Sequence, residues 1–262
     1  MSSTSTDLFR LSQGHLNVLV TCPRKFQNSY LEQLNIPINP EQDKDRNLGS
    51  QFHLLMQQQE MNLPIDGFLK ADEKLEKWVK DINILAPEIF KPDLDKQIFR
   101  ESEHNRTVQI GDYLITVVYD LLIAEKETAQ ILDWKTYHHA PKKEDLGKNW
   151  QTKLYMYVLA KTSDYLPENI SMTYWFVQSQ KNLKKIEFNY DSKQHQKIEQ
   201  ELKVILNNLT QWWEKYQQNQ PFPQEPAYSQ ACHYCQYSVL CDKLENSAKT
   251  LPKLANIEEI EI

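Results

Sequence analysis

Apolar residues recur at helical spacing in five stretches of the chain. In one stretch Leu75, Trp78, Val79 and Ile82 repeat every three to four residues, a spacing that places side chains on one buried face of a helix. Spacing of this kind predicts helices over residues 8–34, 45–61, 70–82, 149–161 and 192–217.

Strands are predicted where Ile, Val, Tyr and Thr are concentrated between polar turns. One such turn contains Gly111, and another is the Glu-Lys-Glu sequence at 125–127. These boundaries predict strands over residues 97–103, 112–124, 129–136, 170–178 and 184–190. The resulting order of helices, three strands, a helix, two strands and a helix predicts an α/β core with a helical extension.

Composition excludes several classes of enzyme. The chain has 262 residues and a formal net charge of −6, which suits one large domain and argues mildly against a general polyanion binder. Its five glycines are too far apart for the paired glycines of a dinucleotide fingerprint, a Walker phosphate loop or a hydrolase elbow. We therefore expect no motor of the helicase type within this chain.

The first residues contain neither a basic start nor an apolar run, so we expect no signal peptide. The longest apolar stretch, residues 113–124, is interrupted by Asp120 and is too short to span a bilayer. We therefore expect a cytoplasmic protein that does not bind membranes. In that compartment, cysteines favour metal binding or catalysis over disulfides.

An acidic and a basic residue lie together on one predicted strand. Asp133 and Lys135 are two positions apart and therefore project from the same face. A hairpin between neighbouring strands would bring Asp120 alongside them. Two carboxylates suit Mg²⁺ or Mn²⁺, and a nearby lysine can orient a water and stabilise charge on a phosphate. The alternative is an ion pair on the surface, since an Asp-x-Lys triplet also occurs by chance in many proteins.

Three further residues belong to the same pattern. His53 follows Gly49 by four positions on the predicted helix before the strands, where it could add a nitrogen ligand. Gln151 and Tyr155 share one face of the helix after the strands. Each of these spacings alone is weak, and a single histidine on a helix is more often structural.

Taken in order, these residues resemble the PD-(D/E)XK nuclease superfamily, specifically its RecB-like branch. The pattern of that branch is G-x-x-x-H, an Asp ending one strand, D-x-K or E-x-K on the next, and then Q-x-x-x-Y. The resemblance covers residues 10–242 and implies a restriction-endonuclease-like core, in which a central mixed sheet is flanked by helices. It also implies a helical N-terminal extension and a C-terminal segment ligated through cysteines.

The resemblance implies a role for each matched residue. It makes His53, Asp120, Asp133 and the backbone carbonyl of Trp134 the ligands of a Mg²⁺ or Mn²⁺ ion. Asp120 and Asp133 then act in catalysis together with Lys135. Glu101, on the preceding strand, is a weaker match to an acidic position that is frequent in the family.

DNA contacts are expected beside the proposed metal site. The resemblance assigns Gln151 and Tyr155 to DNA positioning. Residues 131–161 contain six lysines against three acidic residues, together with several aromatic residues. Such a surface can follow a phosphate backbone and stack on unpaired bases. We expect Lys142 and Lys143 to contact phosphates.

The four cysteines form a second candidate site. Cys232, Cys235 and Cys241 lie close together near the C-terminus, and Cys22 lies far from them in sequence. By spacing alone, a Cys₄ zinc site and an iron–sulfur cluster are about equally compatible. The resemblance to AddB-like and CRISPR-associated exonucleases implies a structural 4Fe–4S cluster that uses all four. Such a cluster would cross-link a very long loop.

The resemblance predicts a single RecB-like nuclease domain over residues 1–245. Within it we expect a helical part at 8–96, a catalytic sheet at 97–190, and a long helix with the iron–sulfur segment at 191–245. An acidic tail, residues 246–262, follows.

The expected activity is that of a Mg²⁺- or Mn²⁺-dependent deoxyribonuclease. We expect an exonuclease acting on single-stranded DNA or DNA ends, in DNA repair, recombination or defence. The alternatives are a CRISPR spacer-processing nuclease and a non-catalytic, nucleic-acid-binding adaptor subunit. Because the chain lacks motor motifs, we expect the nuclease to act alone or with a separate partner, either a helicase or a CRISPR adaptation protein.

Overall fold

The computed structural model describes residues 9–34, 40–90, 97–137, 139–178, 183–226, 229–233 and 235–241. The predicted acidic tail, residues 246–262, lies outside them. The described residues form two compact units. One is built from residues 9–17 and 40–208, and the other from residues 18–34 and 209–241. No described helix has the length and apolar character needed to span a membrane.

The helices and strands follow the predicted order closely. The α-helices are α1 (Gln13–Thr21), α2 (Pro23–Phe26), α3 (Pro40–Glu60), α4 (Asp66–Leu69), α5 (Glu73–Leu85), α6 (Pro87–Phe90), α7 (Lys143–Lys148), α8 (Trp150–Lys161), α9 (Ser192–Tyr216) and α10 (Gln230–His233). A π-helix (Gln27–Leu31) and a 3₁₀ helix (Pro167–Asn169) are also present. The strands are β1 (Phe9–Leu11), β2 (Gln97–Ile110), β3 (Tyr113–Glu125), β4 (Ala129–Lys135), β5 (Ile170–Phe176) and β6 (Lys184–Asn189).

The six strands form one mixed sheet flanked by helices, as predicted. Strand β3 pairs along its length with antiparallel β2. It also pairs with β1, in parallel, over 113–115, and with β4, antiparallel, over 121–124. Strand β5 then pairs in parallel with β4 and antiparallel with β6. The interval of β3 between its pairings with β1 and β4 contains Asp120.

A buried apolar cluster packs α3 and α5 against the sheet. The predicted helix face is buried as expected: Leu75, Trp78, Val79 and Ile82 are all at most 5% exposed. The ring of Trp78 meets that of Phe52 on α3 edge to face, with the centroids 5.7 Å apart. This cluster includes residues from β3, β4 and β5, so it fixes α3 beside the strands that carry the acidic residues.

Several predicted boundaries are wrong, and two of them have the same cause. The helix predicted over residues 8–34 begins only at Gln13, because Phe9, Arg10 and Leu11 pair with β3 as a short strand. Strand β2 was predicted to end at residue 103 but continues to Ile110, since it is one arm of a long hairpin with β3. In both places pairing with β3 decides the structure, and local periodicity does not report it.

The second unit joins two segments that are far apart in sequence. The backbone N–H of Arg24 donates to the Pro223 carbonyl at 2.9 Å, and the backbone N–H of Phe222 donates to Gln27 Oε1 at 2.7 Å. Phe26 and Phe222 stack with their ring centroids 6.3 Å apart. These contacts hold the residues after Cys22 against the segment that leads into the C-terminal cysteines.

Candidate metal centre

The candidate centre lies where β3 and β4 separate. Leu121 pairs with Leu132, and Asp120 and Asp133 are the next residues on the two strands beyond that last pair. The Trp134 N–H, which the ladder no longer pairs, donates instead to Asp120 Oδ2 at 2.7 Å. The Asp120 carboxylate therefore satisfies a backbone donor that the opening of the ladder would leave unpaired.

Asp133 is held by two side chains. Its Oδ1 lies 2.5 Å from Lys135 Nζ, and Gln151 Nε2 donates to its Oδ2 at 2.5 Å. The approach to Lys135 is an ion pair without hydrogen-bond geometry, so Oδ1 accepts no hydrogen bond among the described residues. Asp133 is 1% exposed and the Lys135 side chain 13% exposed. The predicted shared face of these two residues is present in the structure.

His53 approaches the same carboxylate from α3. Its Nδ1 lies 3.3 Å from Asp120 Oδ2. Gly49, one helical turn earlier, permits this approach, since a Cβ atom there would lie 2.9 Å from Thr136 Oγ1 at the end of β4. The glycine and the histidine of the G-x-x-x-H spacing thus act together, one allowing close packing and the other reaching the acidic residue.

The charges in the centre perturb one another strongly. Burial and the charge of Asp120 raise the pKa of Asp133 to about 7, against the effect of Lys135. Burial lowers the pKa of Lys135, but Asp133 and Asp120 outweigh it and raise the pKa overall. For His53, burial is likewise outweighed by its hydrogen bond and charge interaction with Asp120, so its pKa is raised. Lys135 therefore stays a cation, while Asp133 lies near the midpoint of its titration at neutral pH.

Sequence reasoning missed Glu103. Ligand atoms of His53, Glu103 and Asp120 all lie within 4.8 Å of one another, and Asp133 is not part of this group. Glu101, the weaker suggestion from the sequence, instead contacts His104 Nδ1 at 2.7 Å, and its side chain is 54% exposed. The signal that could have found Glu103 is the register of β2 against β3, which the sequence pattern does not specify.

The residues expected to contact DNA occupy different environments. Tyr155 is buried, accepts a hydrogen bond at 3.3 Å from Gln13 and lies edge to face against Tyr119. The Gln151 amide is already bound to Asp133, as described above. Lys142 and Lys143 are exposed at the start of α7, and Lys143 Nζ lies 5.4 Å from the ring centroid of Phe188.

An open cavity of about 880 Å³ gives access to the centre. Its lining includes His53, Glu103, Asp120, Tyr137 and Tyr155. Asp133, Lys135, Lys142 and Lys143 are not among the lining residues. The side chains of His53, Glu103 and Asp120 thus meet at the cavity, with a half-exposed aromatic ring, Tyr137, beside them.

In the second unit, Cys22, Cys232, Cys235 and Cys241 line one small cavity of about 20 Å³. Among the residues that the structure describes, no three of these sulfurs come within 4.8 Å of one another. A tetrahedral zinc ion with Zn–S bonds of about 2.3 Å would require sulfurs about 3.8 Å apart. The four thiols thus share one cavity, but at a wider spacing than a single zinc ion requires.

Comparison with known proteins agrees with the fold. The family model of the PD-(D/E)XK nuclease superfamily matches residues 10–242. A search of curated proteins finds no match. Among solved structures, a "Putative exonuclease" from Eubacterium rectale is similar with a TM-score of 0.50 and 12% identity, covering 79% of this chain and 85% of that one. The structure of SSO0001 is similar with a TM-score of 0.37 and 12% identity, covering 88% and 85%.

Proposed function

The chain belongs to the PD-(D/E)XK nuclease superfamily, and from that premise we propose that it is a Mg²⁺- or Mn²⁺-dependent deoxyribonuclease of the RecB-like branch. The observation that carries the proposal is the convergence of His53, Asp120, Asp133 and Lys135 at the point where β3 and β4 separate. A buried carboxylate pair next to a cationic lysine is costly for the fold alone. Metal-dependent hydrolysis of phosphodiester bonds gives this arrangement a use.

The donor set fits a hard divalent cation. The proposed ligands are His53, Asp120, Asp133 and the Trp134 carbonyl, since carboxylate and carbonyl oxygens with an imidazole suit Mg²⁺ or Mn²⁺. The Oδ1 atom of Asp133, which accepts no hydrogen bond from the described residues, is consistent with this role. When bound, such a cation lowers the pKa of a coordinated water and neutralises charge on a phosphate.

Lys135 acts as a charge rather than as a base in this proposal. Its raised pKa keeps it an ammonium, which can donate to the attacking water or to a phosphate oxygen and stabilise the negative charge that develops there. Gln151 holds the Asp133 carboxylate that orients Lys135. In this proposal Gln151 on α8 orients the Asp133 carboxylate, and Lys135 on β4 stabilises the negative charge that develops during the reaction.

The proposed substrate is single-stranded DNA or a DNA end, cleaved as by an exonuclease. The half-exposed ring of Tyr137 at the cavity supports this choice, because an aromatic ring can stack on an unpaired base. Tyr155 and Gln151 border the site and are proposed to position the strand. Lys142 and Lys143 are proposed as phosphate contacts farther along it.

The four cysteines are proposed to hold a structural 4Fe–4S cluster. Their position around one cavity supports a shared site, and a structural zinc ion is the alternative. Anaerobic purification followed by iron, sulfide and zinc analysis tests the proposal. We expect a brown protein containing iron and sulfide, whereas a colourless protein with stoichiometric zinc would rule the cluster out.

Cleavage of labelled single-stranded DNA in the presence of Mn²⁺ tests the activity. We expect Lys135→Ala to lower the rate about 100-fold or more, since it removes charge from the reacting site. Lys80→Ala is the matched control, because that lysine is 62% exposed, pairs with Glu76 on α5 and lies outside the lysine-rich residues 131–161. Equal cleavage by wild type and Lys135→Ala would refute the assignment. DNA binding without cleavage by wild type would favour a non-catalytic adaptor subunit instead.

The cellular context is also part of the proposal. A cytoplasmic nuclease with no phosphate-loop motif in this sequence would act with a separate helicase in repair, or with CRISPR adaptation proteins if it processes spacers. Affinity purification of the full chain from its own cells distinguishes these settings by the partner recovered.

A further inference from the structure

A row of acidic residues crosses three adjacent strands at the candidate centre. Ser102 pairs with Leu121 and His104 pairs with Tyr119, so Glu103 lies opposite Asp120 in the register of β2 and β3. Asp133 occupies the corresponding position on β4, directly beyond the last β3–β4 pair. Residues opposite one another on antiparallel strands project from the same face. Glu103 therefore extends the pair of Asp120 and Asp133 outward to the cavity.

The backbone of Glu103 is unusual for this position. Its φ is 52° in the middle of β2, in the left-handed region that residues with a side chain seldom adopt within a strand. Its carboxylate forms no hydrogen bond or ion pair with any residue that the structure describes. Like charges directly opposite each other on a sheet destabilise it. Strain of this kind persists where a function requires it.

The inner and outer ends of the row differ in their partners. Asp133, at the buried end, is bound by Lys135 and Gln151. At the exposed end, ligand atoms of Glu103 lie within 4.8 Å of those of both His53 and Asp120, and all three residues line the open cavity. The exposed end of the row therefore offers a cation two carboxylates and an imidazole.

We propose that Glu103 is a metal ligand of this nuclease, binding the divalent cation together with His53 and Asp120. This inference rests on the proposed function and adds to it a ligand that lies outside the G-x-x-x-H, Asp, D-x-K pattern. A divalent cation bound by Glu103 and Asp120 would offset their repulsion. With its left-handed backbone, Glu103 brings its carboxylate within 4.8 Å of the ligand atoms of His53 and Asp120.

Mn²⁺ binding to the full chain in the absence of DNA tests this inference. The measurement is calorimetric titration, with the electron paramagnetic resonance signal of free Mn²⁺ as a second readout. We expect Glu103→Gln, which keeps the size of the side chain and removes its charge, to weaken Mn²⁺ binding at least 10-fold. Glu101→Gln is the matched control two residues away on the same strand, and we expect it to bind as wild type does.

Two outcomes separate this inference from the proposed function. If Glu103→Gln binds Mn²⁺ as tightly as wild type while Asp120→Asn does not, Glu103 is not a ligand and the nuclease assignment stands. If wild type, Glu103→Gln and Asp120→Asn all fail to bind Mn²⁺ and Lys135→Ala cleaves DNA normally, the proposed function itself fails. A Glu103→Asp variant guards against misfolding, since we expect its shortened carboxylate to give an affinity between those of wild type and Glu103→Gln.

Discussion

Replacing Glu103 with glycine should stabilise the metal-free protein while removing a proposed metal ligand. At a φ of 52° a residue with a Cβ atom is strained, whereas glycine adopts this conformation freely. The side chain is exposed and has no partner among the described residues, so its removal costs little packing. The substitution therefore separates the stability of the strand from the chemistry of the site.

The expected gain follows from two opposing contributions. The left-handed conformation costs a non-glycine residue about 1–2 kcal/mol. Glycine loses about 0.5–1 kcal/mol more conformational entropy on folding than other residues. The relief of repulsion with Asp120 adds a few tenths of a kcal/mol. The net stabilisation of Glu103→Gly is about 0.5–1 kcal/mol, or a Tm increase of about 2 °C for a chain of this size.

Thermal unfolding followed by circular dichroism measures this effect. In EDTA we expect Glu103→Gly to unfold at a higher temperature than both wild type and Glu103→Ala, because alanine keeps the strain. With Mn²⁺ at about 100 times its Kd, wild type gains about 2.7 kcal/mol from ligand binding. The order should then reverse, with wild type the most stable.

Two results would refute this reasoning. Equal Tm values for Glu103→Gly and Glu103→Ala in EDTA would show that the backbone of Glu103 is not strained. Equal stabilisation of wild type and Glu103→Gly by Mn²⁺ would show that the carboxylate does not bind the ion.

Three further predictions concern the neighbours of the centre. Gly49→Ala should reduce cleavage several-fold by displacing α3 from β4, although alanine favours helices; Thr136→Ala in the same protein should restore it, and failure to do so would rule out a clash with Oγ1. In the metal-free protein, the raised pKa of Asp133 means that the folded state keeps its proton at a pH where the unfolded state loses it. The resulting contribution to the free energy of unfolding is fully present below the unfolded pKa of 3.8 and is lost as pH rises toward the folded pKa of about 7. The free energy of unfolding of wild type relative to Asp133→Asn, from urea titrations, should therefore fall across that range, and a constant difference would contradict the raised pKa. Gln151→Leu should lower kcat by about 10-fold or more in steady-state cleavage assays, since the Asp133 carboxylate loses its amide donor; an effect on KM alone would instead assign Gln151 to DNA binding.

Local patterns predicted those parts of the protein that depend on near neighbours in sequence. The face of Leu75, Trp78 and Val79 is set by helical periodicity, and the proximity of Asp133 to Lys135 by the two-residue repeat of a strand. The mixed sheet flanked by helices followed from the resemblance. In each of these cases a few adjacent residues, or an ordered motif, carry the information.

Register could not be predicted in the same way. Glu101 and Glu103 are both exposed residues of β2, and only the alignment of β2 with β3 determines which of them faces Asp120. That alignment depends on the hairpin turn at Gly111, whose φ is +58°, and on pairing over the whole strand. Strand β1, with three residues, is likewise too short for its own pattern to indicate it.

The order of synthesis has a consequence for the second unit. The backbone N–H of Phe222 donates to Gln27, a residue made 195 positions earlier. At about 5–20 residues per second, the ribosome needs roughly 10–40 s to deliver this partner. During that interval Phe26, which is fully buried in the finished unit, has no Phe222 to stack against. The other three cysteines that share a cavity with Cys22 have not yet been synthesised. The sheet can be complete by then, so loading of the proposed cluster onto the four cysteines would be among the last steps in maturation of this protein.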